Sequence, residues 1–321
     1  MKRTVPSLPV LAFVALTGLS SYVHALDIVD PAPEERARCK ALADDGDRTF
    51  CMQGHSVRAL KLPDAAQGLG VFTSADKMAV YKPEGNGRFP AVILLHTCGP
   101  VDHQQMRYWV KQALENGYVA FVVDSWEQRS ISEGVCRRPL SAEFNPIAVR
   151  SRDAYDALRH LGKFEFVDAA RIGVMGFSQG GRIAYLLASK GVSQMFSPDK
   201  KRFAAAVAVY GECFFRPSGQ SKIRPDIDVP LLALLGALDE DGDAKECLPR
   251  LQAVKDKGAP VEWHVFPDTG HAWDNPKFTQ PQRFRYTGTS SNGVLFAYNA
   301  SVTDESRDRA FAFLARHLKQ K

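Results

Sequence analysis

The chain has 321 residues, 45% hydrophobic and 24% charged, the balance of an ordinary globular protein large enough to bury a core. Its formal charge of +5 is spread thinly, and without a lysine or arginine block nothing argues for a nucleic-acid partner.

Lys2 and Arg3 precede an almost wholly apolar run, Leu8 to Leu19, and Val23-His24-Ala25 then offers small residues where a signal peptidase reads. Residues 1–25 are therefore expected to be a secretory signal peptide cut after Ala25, which would lower the charge from +5 to +3. The apolar run is too short to span a bilayer comfortably, and no later stretch qualifies, so no membrane span is expected after cleavage. Residues 26–57 are charged and read as an irregular amino-terminal extension, with Cys39 and Cys51 as its staple. Residues 58–321 read as one catalytic domain.

Within that domain Arg58 to Leu62 and Lys77 to Tyr81 suggest an opening pair of strands. Ala91 to Leu95 and Val119 to Val123 are short, continuous apolar runs, the pattern of strands buried on both faces. Between them Gln105 to Asn116 reads as a helix stopped by Gly117. A long irregular connection, 125–145, leads to a helix over Ala148 to Leu161. Strands follow at Arg171 to Met175, Phe203 to Val209, Pro230 to Leu235 and Val261 to Phe266. Helices are predicted over Arg182 to Ala188, Ala244 to Lys257 and Ser306 to Leu318. Residues 274–303, rich in Asn, Thr, Ser and Tyr, form an insertion before the last helix. Strands alternating with helices predict an α/β fold: a doubly wound, mostly parallel sheet of about eight strands, with its site beyond the strands' carboxyl ends.

Gly176-Phe177-Ser178-Gln179-Gly180-Gly181 falls between a strand and a helix, the context of a G-x-S-x-G nucleophile elbow. A serine nucleophile there stands on a turn tight enough to need small neighbours, and the Gln179 N–H can face the oxyanion of acyl transfer. The base should follow the acid along the chain. His264 lies inside a strand and His317 inside a helix, whereas His271 follows a strand end and Gly270, so His271 is the candidate base. The loop 236–243 is crowded with carboxylates; Asp239, nearest the strand end, is the candidate acid and Asp241 its rival. The second oxyanion donor is expected after Leu95, from the N–H of Cys98 or else of Thr97. Trp126, Phe214, Phe215 and Trp273 fall near the expected pocket and suggest an apolar or aromatic substrate, unless they are core aromatics.

Taken together, Leu94-Leu95-His96-Thr97-Cys98-Gly99, Val123-Asp124-Ser125-Trp126, the elbow, Gly236-x-x-Asp239 and Gly270-His271-Ala272-Trp273 resemble the dienelactone hydrolase family of α/β-hydrolases. The resemblance spans roughly residues 58–318 and implies the α/β-hydrolase fold, a catalytic triad and a hydrolase reaction. Founding members carry cysteine where this chain has Ser178, so lactones are not implied as substrates.

Six cysteines permit fifteen pairings. The family topology sets Cys98 beside Cys136 and Cys213 beside Cys247 at strand ends, which with Cys39–Cys51 gives three expected bridges in an exported protein. The expected function is that of an exported, periplasmic or secreted, serine hydrolase cleaving a small-molecule carboxylic ester through an acyl-enzyme. A peptidase or acyltransferase would share the machinery, and a catalytically silent binding protein the fold. No cluster has zinc-ligand spacing and no loop cradles phosphate, so neither metal nor organic cofactor is expected. The pattern specifies no oligomeric state.

Overall fold

A computed structural model describes residues 27–72, 78–136, 144–214, 219–285 and 292–319. The expected signal peptide and Phe215 lie outside these residues. The chain opens with two helices, α1 (Pro33–Lys40) and α2 (Asp45–Gly54), where irregular structure was expected. Their polar faces hide them from a periodicity search, but their caps are local. Pro33 occupies the first turn of α1, and the Asp44 carboxylate accepts the Asp47 N–H at the start of α2. Cys39 and Cys51 bridge the two helices, with Cα atoms 5.5 Å apart.

The remaining elements follow in order: β1 (Ala66–Gln67), β2 (Ala79–Tyr81), β3 (Phe89–Leu95), α3 (His103–Glu115), β4 (Val119–Val123), α4 (Pro146–Leu161), β5 (Val167–Phe177), α5 (Gln179–Leu187) and α6 (Lys190–Phe196). After them come β6 (Ala205–Val209), β7 (Leu231–Gly236), α7 (Ala244–Lys255), β8 (Val261–Phe266), the hairpin β9 (Gln282–Phe284) and β10 (Val294–Phe296), and α8 (Ala300–Leu318). Eight strands form one sheet in the order β1-β2-β4-β3-β5-β6-β7-β8, parallel throughout except for the β2–β4 pair. This is the doubly wound α/β sheet that the alternating pattern predicts.

Both sheet faces are covered, which is why the central strands are continuously apolar. Along β3, Ala91, Ile93 and Leu95 pack on the side of α4, α5 and α7, while Val92 and Leu94 pack on the side of α3 and α8. Each face buries a core; Tyr155, Leu158, Phe196 and Leu251 belong to the first, Trp109, Val110, Phe311 and Leu314 to the second.

Several boundaries differ from expectation: β5 starts at Val167 rather than Arg171, α5 at Gln179 rather than Arg182, and α6 has no counterpart among the expected helices. Arg58 to Leu62 forms no strand: the Gln128 side chain accepts from Lys61 N and donates to Lys61 O, both at 2.8 Å, replacing a neighbouring strand there. The partner of β2 on its outer side is instead the short β1. Helix α4 begins two residues early, because Asn145 caps it and Pro146 fits the first turn. Helix α8 begins at Ala300, capped by Asn299, which shortens the insertion.

The amino-terminal helices pack against the body. Arg38 donates to Met195 O at 2.9 Å, and Arg152 of α4 donates to Val57 O at 2.9 Å. Asp47 pairs with Arg224 through two contacts of 2.8 Å. At Gly54 a Cβ would lie 2.3 Å from the Phe196 ring, so α2 ends in close contact with α6.

Candidate active site

Ser178 stands between β5 and α5 with φ 52°, a left-handed conformation that non-glycine residues seldom adopt outside functional turns. The turn needs its flanking glycines. A Cβ on Gly176 would fall 2.0 Å from Gly180 O, and one on Gly180 would fall 2.1 Å from Leu95 O. The second contact sets the first turn of α5 against the end of β3, beside the loop that carries Thr97 and Cys98.

His271 follows β8 and is fixed by its own backbone. Its N–H donates to Leu295 O at 2.7 Å, and its carbonyl accepts from Ala297 N at 3.2 Å. The imidazole bridges two partners: Nε2 lies 2.9 Å from Ser178 Oγ, and Nδ1 lies 2.8 Å from Asp239 Oδ2. All three side chains are at least 95% buried. The other Asp239 oxygen accepts the N–H groups of Asp241 at 2.8 Å and Gly242 at 3.0 Å, which aims the carboxylate at the ring. Burial alone would lower the His271 pKa, but the Asp239 charge and hydrogen bond, with Asp241 adding, hold it above its ordinary value.

Asp241, the rival acid, makes a different contact. It takes Arg182 of α5 at 2.6 and 2.8 Å, and Arg182 also reaches Glu212 at 3.3 Å. His264 sits near Glu305 and packs edge-on to Phe266, and His317 packs on Phe313.

The loop after β3 borders the same cleft. His96 is buried, its Nδ1 3.0 Å from Gly99 O, with Ser125 N 3.4 Å from Nε2. Burial and then the nearby Arg150 keep its pKa well below the ordinary value, so the ring is neutral, donating through Nδ1 and accepting through Nε2. Cys98 is bonded to Cys136, with Cα atoms 5.0 Å apart, and its carbonyl accepts from Val135 N at 2.8 Å. Gly134 has φ +69°, and a Cβ on it would fall 2.4 Å from Cys98 O, so the long connection lies directly on this loop. Cys213 and Cys247 form the third bridge, Cα atoms 5.6 Å apart, just past the acid loop. Among the described residues the one potential metal-binding cluster is Cys39, Cys51 and His55, whose sulfurs are already bonded to each other.

A cleft of about 380 Å³ opens over Ser178 and His271, lined by the Thr97–Asp102 loop, Cys136 and three phenylalanines, Phe278, Phe284 and Phe296. A separate depression of about 310 Å³ beside Lys61 and Gln128 holds none of these groups. The aromatic wall differs from the expected one. Trp126 is 1% exposed under the His96 loop, Phe214 is 6% exposed in the core beneath α5 and α7, and Trp273 is fully buried between Tyr210 and Phe266. None of the three lines the cleft. Phe278 and the hairpin residues Phe284 and Phe296 take that place, in mutual contact at 4.9–5.6 Å, with Phe296 4.8 Å from the His271 ring.

Sequence reasoning also missed a buried network behind His271. Asp274 accepts from Tyr210 Oη and Trp109 Nε1, both at 2.6 Å, and from Gln105 Nε2 at 3.0 Å. Burial lifts its pKa above the ordinary value even against those three donors. Tyr210 in turn packs edge-on to His271 at 4.9 Å. The position of Asp274, three residues past His271, was its only sequence signal.

A parallel sheet, a strand–serine–helix turn at its carboxyl edge and an imidazole facing that serine define an α/β-hydrolase. The chain belongs to the dienelactone hydrolase family, whose sequence profile matches residues 77–318. A protein of Yersinia pestis named "Putative carboxymethylenebutenolidase" is 26% identical over 250 residues, covering 73% of this chain and 85% of the relative. One of the same name from Escherichia coli (strain K12) is 27% identical over 230 residues, covering 67% and 81%. Among solved structures, the "Putative Dienelactone Hydrolase" of Klebsiella pneumoniae superposes with TM-score 0.51 at 22% identity, covering 74% of this chain and 93% of that one. Esterase 2 of Thermogutta terrifontis, phosphorylated by paraoxon, gives TM-score 0.54 at 17% identity, covering 76% and 90%. At these identities the solved structures speak to the fold alone.

Proposed function

We propose that the chain is an exported serine esterase that cleaves a small carboxylic ester through an acyl-enzyme. The observation that carries this reading is the His271 ring set between Ser178 Oγ at 2.9 Å and Asp239 at 2.8 Å. As Ser178 Oγ bonds to the ester carbonyl carbon, its proton passes to His271 Nε2. The oxyanion is held by the N–H groups of Gln179 and Cys98. The bond to the alcohol oxygen then breaks, and the alcohol leaves with the proton from His271. Water repeats the sequence on the acyl-enzyme, releasing the acid and restoring Ser178. Asp239 orients the ring and stabilises the imidazolium. The phenylalanine wall would receive a flat or apolar group of the substrate.

Export is supported by the amino-terminal sequence pattern and by three disulfides, which persist in oxidising compartments. No helix among the described residues is long and apolar enough to cross a membrane.

The test is covalent labelling. A fluorophosphonate should label the protein and not its Ser178→Ala variant, whose kcat should fall by about 10⁴–10⁶. Undiminished labelling of the variant would end this reading. p-Nitrophenyl esters, turned over faster than lactones or peptides, would separate the esterase from its closest alternatives.

A further inference from the structure

We propose that Arg150 is a positioning residue for the oxyanion hole, one guanidinium gripping both chain segments that supply the hole's backbone donors. The inference rests on the esterase reading above. Arg150 projects from α4 and is fully buried. Burying a cation costs several kcal/mol unless strong partners compensate. The usual compensation is a carboxylate, and Asp153 lies one turn further along the same helix. Arg129, however, holds Asp153 at 2.7 and 2.8 Å, and among the described residues Asp153 and Asp124 act on Arg150 only through space, with no ion-pair contact. Its donors go instead to His96 O at 2.6 Å, Thr97 O at 3.0 Å and the Gln179 side-chain oxygen at 2.8 Å. Trp126 backs the group, its ring 5.3 Å from the guanidinium carbon.

Those three acceptors bear on the hole. A trans peptide holds its C=O and N–H in one plane, pointing in opposite directions. Holding Thr97 O therefore sets the direction of the Cys98 N–H, and holding His96 O sets that of Thr97. Either candidate donor of the loop is thus oriented by Arg150. Gln179 is the residue whose own N–H is the other donor, so the third contact ties the start of α5 to the loop. Lysine would keep the charge but lack the fork that reaches three acceptors at fixed angles. Backbone donors cannot be replaced by mutation, which makes this side chain the handle on the hole.

The experiment compares a phenyl ester with its thiono counterpart, whose C=S carbon develops charge on a sulfur too large and weakly accepting for the hole. The oxo-to-thiono ratio of kcat/KM does not depend on the fraction of molecules folded, so a purely structural loss would leave it unchanged. The natural protein should strongly favour the oxo ester. In Arg150→Gln, kcat/KM for the oxo ester should fall by about 10²-fold with KM little altered and the ratio should collapse, while Arg150→Lys should be intermediate. Gln179→Met removes one of the three acceptors and keeps the backbone donor; its ratio should shrink a few-fold, which decides the matter if Arg150→Gln does not fold. An unchanged ratio in the folded variants overturns the role of Arg150 and leaves the esterase reading standing. A natural protein that resists fluorophosphonate and shows no oxo preference overturns both.

Discussion

Glu240, the residue after the carboxylate that pairs with His271, accepts the Leu295 N–H at 3.0 Å. Its other oxygen binds Arg283 at 2.7 Å, so the loop carrying Asp239 grips both strands of the hairpin β9–β10. Leu295 O meanwhile accepts from His271 N. The aromatic wall is thereby tied to the loops that carry Asp239 and His271.

Glu240→Ala should loosen that wall without touching the proton relay. The expected outcome is a raised KM for aryl esters, a smaller change for acetates, and a stability loss of about 1 kcal/mol or less, since the Arg283 pair is solvent-screened. Steady-state kinetics on the two ester classes, with thermal unfolding, checks this.

Phe284→Ala and Phe278→Ala should lower kcat/KM for bulky or aromatic esters by about tenfold each and leave small acyl esters near the natural value, because one apolar contact discriminates by about 1–3 kcal/mol. Trp273→Phe should show no such selectivity and should act through stability. A chain-length series of p-nitrophenyl esters reads both. Equal losses across the series would return the pocket to the buried aromatics.

The acid limb of kcat/KM should lie above the ordinary histidine value. His271 must be neutral to accept the serine proton, and Asp239 holds its pKa up, so activity rises with pH through that raised value. Asp239→Asn removes the charge that raises it. The limb should move to lower pH while kcat falls by about 10⁴. A pH–rate profile of the two proteins measures both effects.

Two of the disulfides should separate by function. The Cys39–Cys51 bridge closes no catalytic loop, and its removal should cost about 3 kcal/mol in the chain-entropy picture, with activity at low temperature retained. Removing Cys98–Cys136 should cost about 4 kcal/mol and also reduce kcat, because the bridge holds the loop of the proposed oxyanion donor. Non-reducing peptide mapping of protein from an oxidising compartment reads the pairing directly.

What the sequence made legible was what local chemistry dictates. The elbow needs glycines at fixed offsets, and buried parallel strands need continuous apolar runs, so Ser178, His271 and the core strands could be placed from pattern alone. Asp239 could be separated from Asp241 only by its distance from the strand end; in the structure Asp241 is occupied by Arg182 from a different element. The cleft wall was not legible. Trp126 and Trp273 stand next to site residues in sequence, but their side chains turn into the core. Phe284 and Phe296 sit in an insertion whose polar composition reads as a surface loop, and only the pairing of β10 with His271 brings them over the serine. Arg150 was not legible either, because two of its three partners are backbone carbonyls, which leave no mark in a sequence, and the third, Gln179, lies on a different helix.

The helices ahead of residue 58 bear on how the protein can be cut and recombined. The family match starts at residue 77, but Val57 O takes Arg152 and the Gln53 side chain takes Asn145, the cap of the helix that carries Arg150. A gene fragment trimmed to the family boundary would strip partners from both ends of that helix's first two turns and uncover Phe196. Its product should aggregate or turn over slowly even with Ser178, Asp239 and His271 all present. The smallest portable unit of this hydrolase should therefore include the two helices from Pro33 onward, and exchanging catalytic bodies with shorter relatives should require carrying those helices along.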